Sequence, residues 1–162
     1  ASRGARGRAV SRDGGLTYEP AQVTTLIEPN NNGCQGSILR YSINSAGKAN
    51  LLFSNPDHGS SRRNGSIKLS SNDGRSWSRT FKYVPDNDFY SAYSDLAVLA
   101  NKKVGVLFEH GHNNGKGIYF RSFESQRSPR RSKSPILVLH IKPIKRKIRL
   151  KNQKIANICI IY

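Results

Sequence analysis

Acidic side chains are absent from the end of this chain: no Asp or Glu follows Glu124, while residues 125–162 carry 11 of the 27 Lys and Arg. Residues 1–124 hold the other 16 cations against 10 acids, a net +6 within a total of +17. A segment with cations alone cannot neutralise itself through internal ion pairs. Methionine is missing altogether, and cysteine occurs only as Cys34 and Cys159. Two thiols in segments of such different composition do not make a disulfide framework, and they leave the redox compartment open. No apolar run reaches about eighteen residues, which excludes a predicted membrane-spanning helix. The first eight residues contain three Arg and no apolar stretch behind them, so they do not read as a secretory signal. With no Met at its start, the chain is expected to be a piece of something longer.

A helical period is also lacking, since none is sustained for three turns between residues 8 and 124. Short β-rich runs stand there instead, at 23–27, 37–41, 50–53, 65–69, 79–84, 96–99, 104–108 and 118–123. Gly, Asn, Pro and Ser cluster between them. The reading is an all-β meander of roughly eight strands.

Two copies of one pattern punctuate the meander. Ser11-Arg-Asp-Gly-Gly-Leu-Thr-Tyr18 and Ser70-Ser-Asn-Asp-Gly-Arg-Ser-Trp77 both read Ser-x-Asp/Asn-x-Gly-x-Thr/Ser-aromatic, and they start 59 residues apart. A short polar side chain that bonds its own backbone, a Gly free to take positive φ and a small hydroxyl residue make a self-satisfied hairpin turn. A buried aromatic is expected to close it. Repetition at this spacing points to propeller blades, and at four strands per blade to about two blades and part of a third.

The repeated motif resembles the Asp box of sialidases, with Asn72 replacing the acid in the second copy, and the phrases between the copies strengthen that resemblance. They are Glu28-Pro29, Gly33-Cys-Gln-Gly-Ser-Ile38, Leu52-Phe-Ser-Asn-Pro56, Arg62-Arg-Asn-Gly-Ser-Ile-Lys-Leu-Ser70, Ala92-Tyr-Ser-Asp-Leu96 and Val104-Gly-Val-Leu-Phe-Glu109. Their order is similar to the C-terminal part of the exo-α-sialidase catalytic domain. The resemblance implies part of a six-bladed β-propeller over residues 1–124, while 125–162, by their Ser/Pro/basic and Lys/Ile-rich composition, read as a basic, disordered tail that need not be native.

The same resemblance assigns roles. Sialic acid carries a carboxylate on its anomeric carbon, and a planar guanidinium grips a carboxylate bidentately where an ammonium does not. Arg62 matches one of the family's three arginines, with Arg63 as the alternative. Arg3 is a candidate for a second, although it precedes Ser11 by fewer residues than the family usually leaves. Tyr93 matches the nucleophile; a neutral phenol avoids the repulsion that a carboxylate nucleophile would meet from the substrate's own carboxylate. A free phenol titrates near about pH 10, so it needs a partner base. Glu109 matches a glutamate that orients an arginine. Gln35 is placed near the substrate. Tyr83 and Tyr90 read as packing aromatics, Cys34 as a small buried residue, and His110-x-His112 as a solvated turn rather than a metal site.

The function implied is retaining hydrolysis of terminal sialic acid from glycoproteins, glycolipids or oligosaccharides, with no metal or organic cofactor. The family's acid/base Asp, the Glu that activates the tyrosine and a first arginine come from upstream of these phrases, so this chain alone is expected to be inactive. The alternative is a non-catalytic sialoglycan-binding propeller or pseudoenzyme fragment. No specific nucleic-acid site is implied; the basic tail offers only weak contacts with anionic surfaces. The cellular compartment is left open.

Overall fold

The computed structural model describes residues 4–29, 33–84, 90–112, 115–126 and 138–140. The described residues are all β and turn, with no helix. Strands β1 (Ala5–Arg8) and β2 (Gln22–Ile27) form a two-stranded antiparallel sheet. Strands β3 (Ser37–Ile43), β4 (Ala49–Pro56), β5 (Gly65–Ser70) and β6 (Ser78–Lys82) follow as a four-stranded meander. Strands β7 (Tyr90–Val98), β8 (Val104–His112), β9 (Gly115–Gln126) and β10 (Val138–His140) form a second one, with β7 at its edge. Two strands exceed the predicted eight. β1 was not legible because Ala-Arg-Gly-Arg has no β-branched or aromatic residue. β10 comes from the tail and pairs with the end of β9, which runs two residues past the expected boundary at 124. The rest of the tail lies outside the described residues.

The sheets stack because the middle one offers an apolar face to one neighbour and a mixed face, with Phe53 among polar side chains, to the other. One face sends Leu52, Ile67 and, just beyond β6, Tyr83 and Val84 against Leu96, Val104, Val106, Phe108 and Phe123 of the third sheet. Rings meet there: Phe81 and Phe123 edge to face with centres 4.6 Å apart, and Tyr83 and Phe108 at a tilt with centres 4.7 Å apart. Each fully buried side chain of this kind contributes about 1.5–3 kcal/mol. The opposite face turns towards the first sheet, where the Arg6 guanidinium lies 5.2 Å from the Phe53 ring centre and Asn55 donates to the Ile27 carbonyl at 2.7 Å. Covered on both sides, β5 is buried at five of its six residues. Lys68 lies within it, with its ammonium 2.7 Å from Asp57, because a buried cation needs a partner.

Both repeated motifs are hairpin connections, one joining β1 to β2 and the other β5 to β6. Their internal bonds agree position by position. Ser11 Oγ accepts from the Gly15 amide at 2.7 Å, and Ser70 Oγ from the Gly74 amide at 2.9 Å. Asp13 accepts from the Thr17 amide at 3.0 Å, and Asn72 from the Ser76 amide at 2.9 Å. One aromatic differs from expectation. Trp77 packs edge-on against Phe53, with ring centres 5.8 Å apart, but Tyr18 is 64% exposed. A four-stranded sheet lies under the second turn; the first stands on two strands, and none of the described residues covers Tyr18.

Candidate active site

The site candidates gather along the edge of β7. The loop between β4 and β5 reaches this edge because Asn64 adopts φ 56°, a left-handed conformation that Asn tolerates, and its carbonyl accepts from the Asp57 amide at 3.1 Å. Gly65 then passes so close to β7 that a Cβ would collide with Ser91 Oγ and the Tyr83 ring. The Arg62 carbonyl accepts from the Ser91 amide at 2.8 Å, and Arg63 bridges to Tyr90 in antiparallel fashion.

These bonds bring Arg62 over Tyr93. Its guanidinium carbon lies 5.3 Å from the Tyr93 ring centre, within cation–π range. Hydrogen bonding to Tyr90, and to a smaller extent to Tyr93, pushes the Arg62 pKa above its already high ordinary value against partial desolvation, so its charge is permanent. Tyr93 is 46% exposed. Tyr83 is fully buried instead, and burial pushes its phenol up to about 12, which keeps that hydroxyl protonated.

A bulge turns Tyr93 outwards. Ser91 pairs with His110 and Ser94 with Phe108, so β7 carries one residue more than β8 between these pairs. Consecutive Ser91 and Ala92 are both buried, after which the alternation resumes with Tyr93 exposed and Ser94 buried. Such a bulge redirects a side chain without ending the strand.

Glu109 lies across from this bulge on β8, where it accepts from the Tyr90 hydroxyl at 3.3 Å. Because Tyr90 also bonds Arg62, the carboxylate reaches the arginine through a phenol. Tyr90 therefore does more than pack, in correction of its reading from sequence. The Gln35 amide is spent on β7: Nε2 donates to the Ser94 carbonyl and Oε1 accepts from the Ser94 amide, both at 3.0 Å. Cys34 is buried as expected, and burial raises its thiol pKa despite the nearby Arg62 and Arg6. His110 Nδ1 meets the Tyr90 carbonyl at 2.9 Å. Arg3 lies outside the described residues.

Sequence reasoning missed Arg6. Its guanidinium donates to the Cys34 carbonyl and lies 3.5 Å from Glu28, with burial lowering its pKa. Neither the Gly-Ala-Arg-Gly-Arg context nor any spacing marks this arginine. Tyr90 was missed for the opposite reason, since a Phe-Tyr-Ser-Ala run looks like any strand. Together, Arg62, Tyr93, Tyr90 and Glu109 offer a fixed cation for an anionic group, an exposed phenol beside it and a carboxylate behind.

No protein-family model matches the chain. The all-β fold is of the sialidase type, β-propeller-like in its stacked meanders. The sialidase of Micromonospora viridifaciens is 36% identical over 128 residues, which is 76% of this chain and 18% of that protein. The sialidase of Bacteroides fragilis is 30% identical over 108 residues, 65% of this chain and 20% of that one. Among solved structures, the NanB sialidase of Streptococcus pneumoniae superposes with a TM-score of 0.58 at 27% identity, over 65% of this chain and 17% of that chain. The chain thus spans about a fifth of the length of the curated relatives it matches.

Proposed function

We propose that this chain contributes the nucleophile and one carboxylate-binding arginine to an exo-α-sialidase site, on a propeller segment comprising residues 1–124 and carrying two Asp-box hairpins. The observation that carries the reading is the Arg62 guanidinium held 5.3 Å from the ring centre of an exposed Tyr93. Arg62 grips the carboxylate of a terminal sialic acid. The Tyr93 oxygen, its proton passing to a base supplied from upstream, bonds the anomeric carbon as the glycosidic C–O bond breaks and the glycan leaves protonated by an upstream acid. Water then displaces the Tyr93 oxygen, releasing sialic acid and restoring the phenol. Glu109 and Tyr90 hold the guanidinium fork in place. The substrates are sialylated glycoproteins, glycolipids or oligosaccharides. Residues 125–162, with 11 cations and no acid, take no part in this chemistry.

A second reading is sialoglycan binding without turnover, which uses the Arg62 cation and needs no attack by Tyr93. Hydrolysis of a fluorogenic sialic acid glycoside, by the 162-residue chain and by a longer polypeptide carrying it, separates the two readings. Under the enzymatic reading the longer polypeptide turns over while the chain alone does not, and Tyr93→Phe removes most turnover while sparing ligand binding. Arg62→Lys weakens binding of free sialic acid by about 2 kcal/mol, roughly thirtyfold. Binding without hydrolysis by the longer polypeptide would select the second reading, and unchanged turnover in Tyr93→Phe would remove the nucleophile assignment.

A further inference from the structure

Resting on the reading of Tyr93 as the nucleophile, we infer that Gln35 is a positioning residue for it, holding the strand that carries the phenol rather than touching the substrate. β7 is the edge of its sheet, and an edge strand presents backbone N–H and C=O groups that no neighbouring strand takes up. Two clamps supply partners. At one end, the Arg62 carbonyl takes the Ser91 amide and Arg63 bridges to Tyr90. At the other, the Gln35 side-chain amide bonds both the N–H and the C=O of Ser94, as one residue of an adjoining strand would. Tyr93 lies between the clamps, on the bulge where β7 and β8 fall out of step. Its position under Arg62 therefore depends on both ends being held.

Each residue from 34 to 37 is committed to this arrangement. The Cys34 carbonyl accepts from Arg6, which is braced by Glu28. Gly36 passes Phe53 where a Cβ would collide with the ring, so no larger residue could bring Gln35 as close to β7. Ser37 Oγ donates to Asp95 Oδ1 at 2.7 Å and accepts from the Leu96 amide at 3.1 Å, while Ser54 Oγ lies 2.8 Å from Ser94 Oγ. The hydroxyl contacts secure Ser94 by its side chain and the strand beyond it, whereas among the described residues it is Gln35 that bonds the peptide groups of Ser94 next to Tyr93.

The test follows the ζ-carbon NMR signal of Tyr93 in the full 162-residue chain, identified by its loss in Tyr93→Phe, with Tyr83 as a control for packing. In Gln35→Ala the Tyr93 signal shifts while that of Tyr83 stays, and the Ser94 amide exchanges at least about tenfold faster. Gln35→Glu keeps the side-chain size and carries the test if the alanine variant loses Tyr83 packing. Its carboxylate faces the Ser94 carbonyl at neutral pH and displaces Tyr93. Below about pH 4 the carboxyl regains a donor and an acceptor, and the signal returns to that of wild type at the same pH. A Tyr93 signal unmoved in both variants while the Ser94 amide is freed would overturn the inference, leaving Gln35 a simple pin on the strand. The signal is read without substrate, so it is decided separately from hydrolysis, which alone decides the sialidase reading.

Discussion

The hairpin repeats at Ser11 and Ser70 use the same bonds in different surroundings. In the first, Asp13 receives both the amide and the hydroxyl of Thr17, the latter at 2.6 Å. In the second, Asn72 receives the Ser76 amide but donates its own N–H to the Ser76 hydroxyl at 2.8 Å. Exchanging carboxylate for amide reverses one hydrogen bond and preserves the turn. The fourth position is left-handed in both, Gly14 at φ 75° and Asp73 at φ 60°. Asp73 accepts that less favourable backbone while its carboxylate bonds the Ala49 amide at 2.8 Å and lies 3.5 Å from the Lys48 ammonium. The second turn is thereby tied to the β3–β4 hairpin, whereas the acid of the first turn closes only on itself. A short motif can specify a turn completely and still say nothing of what the turn rests on.

The largest difference should come from the aromatics. Trp77→Ala removes the edge-on contact with Phe53 and the cover over the buried Gly74, and should cost about 2–4 kcal/mol in urea unfolding. Tyr18→Ala should stay within about 0.5 kcal/mol, as expected of an exposed side chain. Equal losses would break the comparison, because they would put Tyr18 against a surface of its own.

Next come the serines. Ser70 is fully buried, and Ser70→Ala leaves the Gly74 amide without its acceptor where water cannot reach, at about 2 kcal/mol. Ser11→Ala should cost about half as much, since solvent can satisfy the Gly15 amide. A reversed order in the two unfolding midpoints would contradict the seating described for the second turn.

The smallest effect is acid sensitivity. Hydrogen bonds from Thr17, then Ser11, hold the Asp13 carboxyl well below the usual carboxylate range. Asp73 is lowered too, chiefly by the Ala49 amide. A carboxyl depressed in the folded state adds stability above its unfolded pKa and loses it as pH falls through the folded value. The NMR signals of the Thr17 and Ala49 amides in the folded chain should therefore hold through about pH 4 and move only as pH falls through the lower folded values of Asp13 and Asp73, while the Ser76 amide, bonded to the uncharged Asn72, stays. Asp13→Asn should make Thr17 equally indifferent, and Asn72→Asp should give Ser76 the sensitivity it lacks.

The strands were legible to different degrees for reasons visible in particular residues. Val23–Ile27, Ile67–Leu69 and Val104–Phe108 announce themselves by β-branched and aromatic side chains. β7 was read only from Leu96, because Tyr-Ser-Ala-Tyr-Ser-Asp lacks an apolar alternation; its first six residues pair only with the extra residue of the bulge admitted. Within the candidate site, Arg62, Tyr93 and Glu109 were named from sequence, and Arg62 rather than Arg63 is the arginine whose guanidinium lies over Tyr93. Gln35 was named with a different use for its amide. Tyr90 and Arg6 carried no mark, since their partners are Glu109 and Arg62 for one and Cys34 for the other, in segments distant along the chain.

By itself, then, the sequence determined what is local: the two turns, whose bonds close within four residues, and an all-β chain without a helical period. Tertiary structure decided which turn is covered, which tyrosine is buried and which stands under an arginine. It also decided that Gln35 meets a peptide 59 residues away. The physical reason is reach. A turn satisfies its polar groups from its own neighbours, but the edge of a strand takes whatever donor and acceptor the stacking of another sheet brings to it.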